Sequence, residues 1–165
     1  MERPEPELAL VINSAGEIVG HTVCNDVSSR DIEGDNPLYL PQAKVYNGSC
    51  SVGPGIHVGE TEKLKELTIS LTITRAGRAA FTGETRTSQI KRSLEELASY
   101  LFMELDHPKG AFLSTGTGIV PGQDFSLTHG DVVAITVGGV DGMTLLTLEN
   151  EVAGKSVAGR AKVAK

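Results

Sequence analysis

The sequence has two cysteines, no internal repeat and no long apolar run. Cys24 and Cys50 show no C-x-x-C spacing and lie among small residues, a pattern typical of reduced thiols in a reducing compartment. No stretch approaches the roughly 20 apolar residues of a membrane-spanning helix. The first residues, MERPEPELAL, lack the charged-then-apolar layout of a signal peptide. We therefore expect a cytoplasmic protein with no membrane partner.

Positive charge is also scarce. The 15 Lys and Arg residues are outnumbered by 21 Asp and Glu residues, which gives a net charge of −6, and the basic residues form no run and do not alternate with aromatic residues. This balance makes nucleic acid a poor partner. At 165 residues the chain can form one domain, which buries roughly two-thirds of its unfolded surface.

The 19 glycines and 7 prolines that the sequence does contain indicate many turns. ELALVINSAGEIVGHTVCND predicts a hairpin with strands over Leu8–Ile12 and Ile18–Cys24 and a turn over 13–16. ELTISLTITRAGRAAFTGET alternates polar and apolar residues around Gly77 and predicts a second hairpin. GAFLS predicts a short strand, and GDVVAITVGGVDGMTLLTLENEV predicts a last strand pair around Gly138–Gly142.

One principal helix is expected among these strands. Ile90, Leu94, Leu97 and Leu101 recur at helical spacing, which predicts an amphipathic helix over about 88–104 with its apolar stripe in the core. The fold class is therefore mainly β, a β-rich α+β domain with one principal helix.

The remaining segments predict irregular structure. Residues 33–55 hold three prolines and four glycines with little periodicity, which predicts a long, ordered loop that crosses the surface. Residues 153–165 are rich in Ala and Lys and predict a flexible tail. Residues 1–152 are thus expected to form the single functional domain.

Three carboxylates are predicted to converge at the first hairpin. Glu5 and Glu7 stand two residues apart, so on an extended backbone both side chains project from the same face, and the hairpin brings Asp26 alongside them. Uncompensated carboxylates repel one another, and the usual compensation is a hard divalent cation such as Mg²⁺ or Mn²⁺. The alternative is that Glu5 and Glu7 are solvated charges and that Asp26 caps a turn.

Four motifs carry a resemblance to a known family. PEPELALVI, GHTVCNDVSSRD, GPGI and LSTGTGIVPG occur in the order found in the catalytic domain of the fumarylacetoacetate hydrolase family, which the sequence resembles from about residue 4 to 152. The resemblance implies a mixed β-sandwich roll that dimerises with a second copy. It also implies a metal-dependent catalytic domain over 1–152, in which Glu5, Glu7 and Asp26 bind Mg²⁺ or Mn²⁺.

The same resemblance assigns roles around a small-molecule 2-oxo acid substrate. It implies that Arg30 and Lys44 face the bound acid, that Thr117 contacts its carboxylate, and that Ser28 and Asp31 support these groups, with Ser28 also at the substrate. Lys44 could have a depressed pKa beside the metal and act as the catalytic base, or it could neutralise the substrate.

Structural explanations for the same residues stay open. Arg30 could pair with Asp31 or Glu33, Lys44 could be solvated, and Thr117 could be a turn residue. The four histidines do not form a site by spacing: His21 is expected to line its strand, and the other three are expected to be solvated beside turns.

The loop EGDNPLYLPQAKVYNGSCSVGPGI resembles the branch of the family that dehydrates 2-keto-3-deoxy sugar acids. It supplies a tyrosine, an asparagine and a glutamine, which are able to bind hydroxyl groups. The resemblance implies a metal-dependent dehydratase, for example one that converts 2-keto-3-deoxyarabinonate to 2,5-dioxopentanoate.

Two other functions remain open at this stage. One is C–C hydrolysis or decarboxylation of a 2-oxo acid, such as an acylpyruvate, on the same metal site. The other is a catalytically inactive family domain that acts as a binding module. Members of the family carry a further amino-terminal region, whereas this chain begins almost at the E-x-E motif, so it could be inactive as a fragment.

Overall fold

The computed structural model describes residues 1–59, 61–139 and 143–154. Of the predicted flexible tail, residues 155–165 lie outside the described residues, and so do residues 140–142 of the predicted last turn. No helix in the described part of the chain is long and apolar enough to cross a membrane.

Strands make up most of the described structure. They are β1 (Glu2–Arg3), β2 (Pro6–Ile12), β3 (Ile18–Asp26), β4 (Ser28–Ser29), β5 (Cys50–Val58), β6 (Leu67–Arg75), β7 (Arg78–Arg86), β8 (Ala111–Ser114), β9 (Val132–Gly139) and β10 (Thr144–Glu151). The α-helices are α1 (Arg30–Asp35), α2 (Leu40–Lys44) and α3 (Leu94–Leu101), and short 3₁₀ helices cover Pro37–Tyr39, Thr61–Glu66 and Thr87–Gln89.

The strands form two four-stranded sheets in which neighbouring strands run antiparallel. The first sheet has the order β5-β3-β2-β8 and the second has the order β10-β9-β6-β7, while β1 pairs with β4. The predicted mainly β class with one principal helix is therefore confirmed.

The hydrophobic core lies between the two sheets. Side chains alternate along a strand, so Leu8, Leu10 and Ile12 of β2 are buried in the core, while Glu7 and Ala9 lie on the opposite face. Burying each of these large apolar side chains stabilises the fold by about 1.5–3 kcal/mol. Packing of the core therefore decides which face of β2 carries the carboxylates. The second sheet contributes Leu67, Ile69, Leu71, Ile73, Val133, Ile135, Val137 and Leu148.

Both predicted hairpins are confirmed. In the first, the Asn13 side-chain oxygen accepts hydrogen bonds from the backbone amides of Ala15 and Glu17, at 2.9 and 3.0 Å. The second turns at Ala76 and Gly77, whose φ angles are 49° and 75°. Positive φ at both positions of a two-residue turn matches the right-handed twist of the flanking strands. The predicted short strand and last strand pair are present as β8, β9 and β10.

The principal helix is shorter than predicted, because α3 covers Leu94–Leu101 and not 88–104. The Ser93 hydroxyl accepts a hydrogen bond from the backbone amide of Glu96 at 3.0 Å, and Ile90 is extended. A serine followed three residues later by a glutamate is the sequence signature of a helix start. That signature, SLEE, places the first turn after Ser93 and separates Ile90 from the helix.

The prediction of a loop over 33–55 is wrong, since the end of α1, the 3₁₀ turn, α2 and the first two-thirds of β5 occupy most of this segment. Pro37 and Pro41 stand in the first turns of their helices, where a missing N–H costs nothing. The Asn36 side chain accepts from the amide two residues on, at 3.0 Å. Pro54 fits within β5 because β5 is an edge strand.

Histidines occupy three different environments. His21 is fully buried in β3, neither ring nitrogen has a hydrogen-bond partner among the described residues, and its ring lies 4.9 Å from that of His57. His57 and His129 are exposed, as predicted. The prediction for His107 is wrong: it is half-buried, because its ring packs against Phe102 at 4.8 Å.

Burial of His21 predicts a pH-dependent stability. Burial, reinforced by the nearby His57, lowers the pKa of His21 to about 4, whereas the unfolded chain takes up this proton near pH 6.5. The unfolded state therefore binds more protons between these values, and the free energy of unfolding falls as the pH drops from about 6.5 to about 4, by up to roughly 3 kcal/mol.

Denaturant unfolding at pH 7.5 and pH 4.5 checks this expectation. The pH-dependent loss should be smaller in His21→Phe, and it should be unchanged in the control His129→Phe, which replaces an exposed histidine. An identical pH dependence in wild type and His21→Phe would contradict the assignment.

Candidate metal centre

The three predicted carboxylates meet where β2 begins and β3 ends. Glu7 lies opposite Cys24 in the ladder, and the backbone amide of Asp26 donates to the carbonyl of Glu5 at 3.1 Å. One carboxylate oxygen from each of Glu5, Glu7 and Asp26 can be chosen so that all three lie within 4.8 Å of one another. The predicted convergence of these side chains is therefore present, while their role as metal ligands stays a prediction.

Glu7 is held in one orientation by the segment that follows β8. It is 3% exposed, and its Oε2 atom accepts hydrogen bonds from the Ser114 hydroxyl and, at 2.6 Å, from the backbone amide of Gly116. Burial raises the pKa of Glu7, and these two hydrogen bonds offset part of that rise. Because both donors bind the same oxygen, they fix the rotation of the carboxylate.

Lys44, the last residue of α2, extends its ammonium group into the carboxylates. Its Nζ lies 2.9 Å from Glu5 Oε2, 2.8 Å from Asp26 Oδ2 and 2.6 Å from the Ser28 hydroxyl. Burial lowers the pKa of Lys44, but hydrogen bonds and charge from Asp26 and Glu5 raise it above its ordinary value. The solvated alternative for Lys44 is therefore wrong, and the predicted depression of its pKa beside a metal stays a prediction.

Ser28 is fully buried and lies beside the cluster, where its hydroxyl accepts the hydrogen bond from Lys44. Asp31 lies apart: its Oδ1 accepts from the Met1 amino group at 2.7 Å and from the Ser29 hydroxyl at 3.0 Å. Ser28 thus occupies a supporting position, while Asp31 binds the amino terminus and Ser29.

Arg30 and Thr117 each contact residues of the carboxylate segment. Arg30 Nη1 pairs with Glu33 and lies 3.6 Å from Glu5 Oε1. The Thr117 hydroxyl donates to the carbonyl of Pro6 at 2.9 Å, which ties its turn to the backbone between Glu5 and Glu7. Both residues therefore border the carboxylates. Each also makes the structural contact given as its alternative role: Arg30 pairs with Glu33, and the Thr117 hydroxyl bonds the backbone of Ile119 within its turn.

The donor set suits a hard divalent cation. Carboxylate oxygens alone, with no thiolate or imidazole among them, favour Mg²⁺ or Mn²⁺ over softer metals. At 4.8 Å, the upper limit for the chosen oxygens, two ionised carboxylates repel by roughly 3 kcal/mol in an effective dielectric of about 20. Lys44 and Arg30 bring two positive charges to these three carboxylates and Glu33, which leaves a net negative charge when all four are ionised, so the residues present fit a cation.

Comparison with known proteins identifies the family. The family model for the fumarylacetoacetate (FAA) hydrolase C-terminal domain matches residues 4–153. The chain belongs to the fumarylacetoacetate hydrolase family. It is similar to the 2-dehydro-3-deoxy-D-arabinonate dehydratase of Saccharolobus solfataricus, with 46% identity over 145 residues, covering 87% of this chain and 48% of that protein.

Two further similarities lie within this family. A probable 2-keto-3-deoxyxylonate dehydratase of Haloferax volcanii is 50% identical over 150 residues, covering 90% of this chain and 50% of that protein. A solved structure of 2-keto-3-deoxy-D-arabinonate dehydratase complexed with magnesium and 2,5-dioxopentanoate superposes with a TM-score of 0.84 at 43% identity, covering 92% of this chain and 53% of that one. The chain thus spans about half the length of the relatives it matches.

The two groups that hold Glu7, the Ser114 hydroxyl and the Gly116 amide, were not predicted from the sequence. Ser114 belongs to the motif LSTGTG, in which only Thr117 was assigned a role. Its contact depends on strand pairing that the structure shows: Ser114 lies opposite Ala9 in β2, so it shares a face with Glu7 two residues away. The Gly116 amide had no signal of its own, because a backbone donor depends on the path of the turn.

Asp26 provides the direct test of the metal centre. Asp26→Asn keeps the shape of the side chain but removes the charge that would bind a cation. We expect calorimetric binding of Mg²⁺ or Mn²⁺ to be lost in this variant and retained in the control Asp106→Asn, which changes an exposed aspartate. Unchanged affinity in Asp26→Asn would remove Asp26 from the site.

Proposed function

We propose that residues 1–152 form the metal-dependent catalytic domain of a hydro-lyase that dehydrates a 2-keto-3-deoxy sugar acid. The observation that carries this proposal is the position of Lys44 Nζ, within 2.9 Å of both Glu5 and Asp26, which puts a basic group beside a set of metal-type ligands. Similarity to dehydratases at 46% and 50% identity supports the choice of reaction.

Glu5, Glu7 and Asp26 are the residues that would hold the cation, Mg²⁺ or Mn²⁺. A divalent ion chelated by the carboxylate and carbonyl of a 2-oxo acid acts as a Lewis acid that stabilises the enolate when a neighbouring C–H bond breaks. Ser114 and Gly116 orient Glu7 for this purpose, since both donate to its Oε2. The magnesium bound in the solved dehydratase structure supports this choice of metal.

Lys44 is assigned the role of base. With a cation on Glu5 and Asp26, the ammonium group would lose two carboxylate partners and face a positive charge, and both changes lower the pKa of a lysine. Nζ then takes the proton from C3 of the substrate, while the buried Ser28 hydroxyl holds the lysine in place. Under this assignment the pKa of Lys44 depends on whether Glu5 and Asp26 hold a cation.

Arg30, Thr117 and Ser28 are assigned to substrate binding. Arg30 lines an open cleft of about 380 Å³ together with Arg3 and Glu33, whereas Thr117 lines a separate cleft of about 260 Å³. The Arg3 guanidinium already donates to two backbone carbonyls, those of Phe125 and Gln123. Arg30 is therefore the better candidate to bind an anionic group of the substrate. To do so it would give up its ion pair with Glu33.

The reaction balances as loss of one water molecule. Lys44 Nζ takes the C3 proton, the C3–C4 double bond forms, and the C4 hydroxyl leaves as water with one proton. The double bond then shifts from C3–C4 to C4–C5 as C5 loses a proton and C3 gains one, and the C5 enol so formed tautomerises to an aldehyde. A five-carbon substrate such as 2-keto-3-deoxyarabinonate thereby becomes 2,5-dioxopentanoate, the compound complexed with the solved dehydratase.

Turnover assays with Lys44→Met test this function. The chain is assayed against 2-keto-3-deoxy acids and acylpyruvates, with and without Mg²⁺. One arm uses the chain alone, and a second arm adds, as a separate polypeptide, the part of the Saccharolobus dehydratase that this chain does not cover. We expect the wild-type chain to dehydrate a 2-keto-3-deoxypentonate. Lys44→Met should lower the rate of this reaction at least about a hundredfold, because the variant lacks the base. Mg²⁺ affinity should be kept or increased, because the ammonium group no longer competes for Glu5 and Asp26.

The control for this assay is Lys109→Met, which removes an exposed lysine and should not change turnover. Acylpyruvate cleavage or decarboxylation without loss of water from any keto-deoxy acid would replace the dehydratase by a C–C hydrolase or decarboxylase. Binding of the acids without any turnover, in both arms, would indicate a binding module.

We also propose that the chain acts in the cytoplasm as a homodimer. The free thiols of Cys24 and Cys50 are consistent with a reducing compartment. Segment 38–46 exposes large apolar side chains, including Leu38 at 83% and Val45 at 78%, and such patches are typical of interfaces.

Light scattering tests the dimer. We expect a mass of twice 17.4 kDa for the wild-type chain and about half that value for the double variant Leu38→Asp, Val45→Asp. A wild-type chain that remains monomeric at all concentrations would contradict this proposal.

A further inference from the structure

Two free thiols lie close together beside the carboxylates. The Sγ atoms of Cys24 and Cys50 are 3.7 Å apart, and neither forms a disulfide. Cys24 is in the middle of the sheet and 2% exposed, whereas Cys50 is the exposed first residue of the edge strand β5. The pair therefore combines an accessible sulfur with a protected one within reach of it.

Strand register connects each thiol to a proposed metal ligand. Glu7 lies opposite Cys24 in the β2–β3 ladder, and Asp26 lies opposite Cys50 in the β3–β5 ladder. Residues directly opposite one another in a sheet share a face and have neighbouring Cβ atoms. A covalent change at the two sulfurs therefore acts on the positions of Glu7 and Asp26.

We propose that Cys24 and Cys50 are a modification site, at which a hydroperoxide forms a reversible intramolecular disulfide that weakens cation binding at Glu5, Glu7 and Asp26. The first half of the proposal depends on the thiol pair alone. The second half rests on the proposed function, because it needs the carboxylates to hold a cation.

The chemistry proceeds in two balanced steps. The exposed Cys50 sulfur attacks one oxygen of hydrogen peroxide, the O–O bond breaks, and a sulfenic acid and one water molecule form. The Cys24 sulfur then attacks the Cys50 sulfur, the S–S bond forms, the S–O bond breaks, and a second water molecule leaves with the Cys24 proton. In sum, two thiols lose two hydrogen atoms and one peroxide is reduced to two water molecules.

Geometry makes the resulting bond both disruptive and reversible. A disulfide requires the sulfurs to approach from 3.7 Å to about 2.05 Å. Cys24 is flanked by β2 and β5 in the middle of the sheet, whereas Cys50 begins the edge strand β5, so the movement falls on Cys50, which lies opposite Asp26 in the ladder. A disulfide at the exposed Cys50 is accessible to reducing thiols and is therefore readily reversed.

Intact-mass measurement tests the disulfide itself. The 165-residue chain is treated with hydrogen peroxide in the absence of metal and then alkylated. We expect wild type to lose two hydrogen atoms, to resist alkylation at both cysteines and to recover both thiols with dithiothreitol. The matched variants Cys24→Ser and Cys50→Ser should form no intramolecular disulfide.

Other products of the same treatment would overturn the disulfide. A gain of two oxygen atoms at Cys50 with Cys24 still open to alkylation means that Cys24 does not resolve the sulfenic acid. A mass of two linked chains means that the bond is intermolecular. Unmodified thiols after treatment mean that the pair is not a peroxide site.

Calorimetry with Mg²⁺ tests the coupling to the carboxylates. We expect affinity to fall at least tenfold in the oxidised wild-type chain, to return with dithiothreitol, and to be unaffected by peroxide in Cys24→Ser. Equal affinity of the oxidised and reduced chains would overturn the coupling. Absence of Mg²⁺ binding to the reduced chain would instead refute the proposed metal centre and the coupling together, while the mass measurement still decides the disulfide.

Discussion

Mutual repulsion of three carboxylates is the constraint on which this end of the molecule depends. Glu5, Glu7 and Asp26 are brought together by antiparallel pairing of β2 with β3, and the repulsion among them must be offset for the hairpin to keep its register. In this structure Lys44, the last residue of α2, supplies one positive charge to both Glu5 and Asp26, and Arg30 of α1 supplies another, 3.6 Å from Glu5. A segment outside the sheets is thus coupled to the sheet by charge.

Alternation along β3 explains the polar stretch at its end. Asn25 and Asp26 are adjacent but face opposite sides of the sheet. Asp26 joins the carboxylates, whereas the Asn25 amide donates to Asn150 Oδ1 at 3.1 Å, and the Asn150 amide donates to the Ser51 hydroxyl at 2.9 Å. One side chain therefore serves the site, and its neighbour links β3 to β10 and β5. Adjacent residues can have these two different roles because their side chains point to opposite faces of the strand.

Local pattern predicted the hairpins and the carboxylate cluster, because both depend on neighbours in sequence: alternation, turn residues and a two-residue spacing. Longer-range features were missed. The edge strand β5 was mistaken for a loop, since Pro54 and its flanking glycines suggest a turn unless the strand is known to lie at an edge. Likewise, Ser114 contacts Glu7 only through pairing of β8 with β2, a register that no short motif encodes. The exception is the start of α3, where the SLEE signature was available and was overlooked.

Pro54 and the interrupted register of β5 also affect how the sheet ends. The ladder between β3 and β5 is broken between His21 and Val23, and the Thr22 hydroxyl donates to the carbonyl of Gly55 at 2.7 Å in place of a backbone donor. Proline has no N–H to offer to another strand. An irregular edge of this kind is a poor template for further strands, so the outer border of the first sheet resists edge-to-edge aggregation.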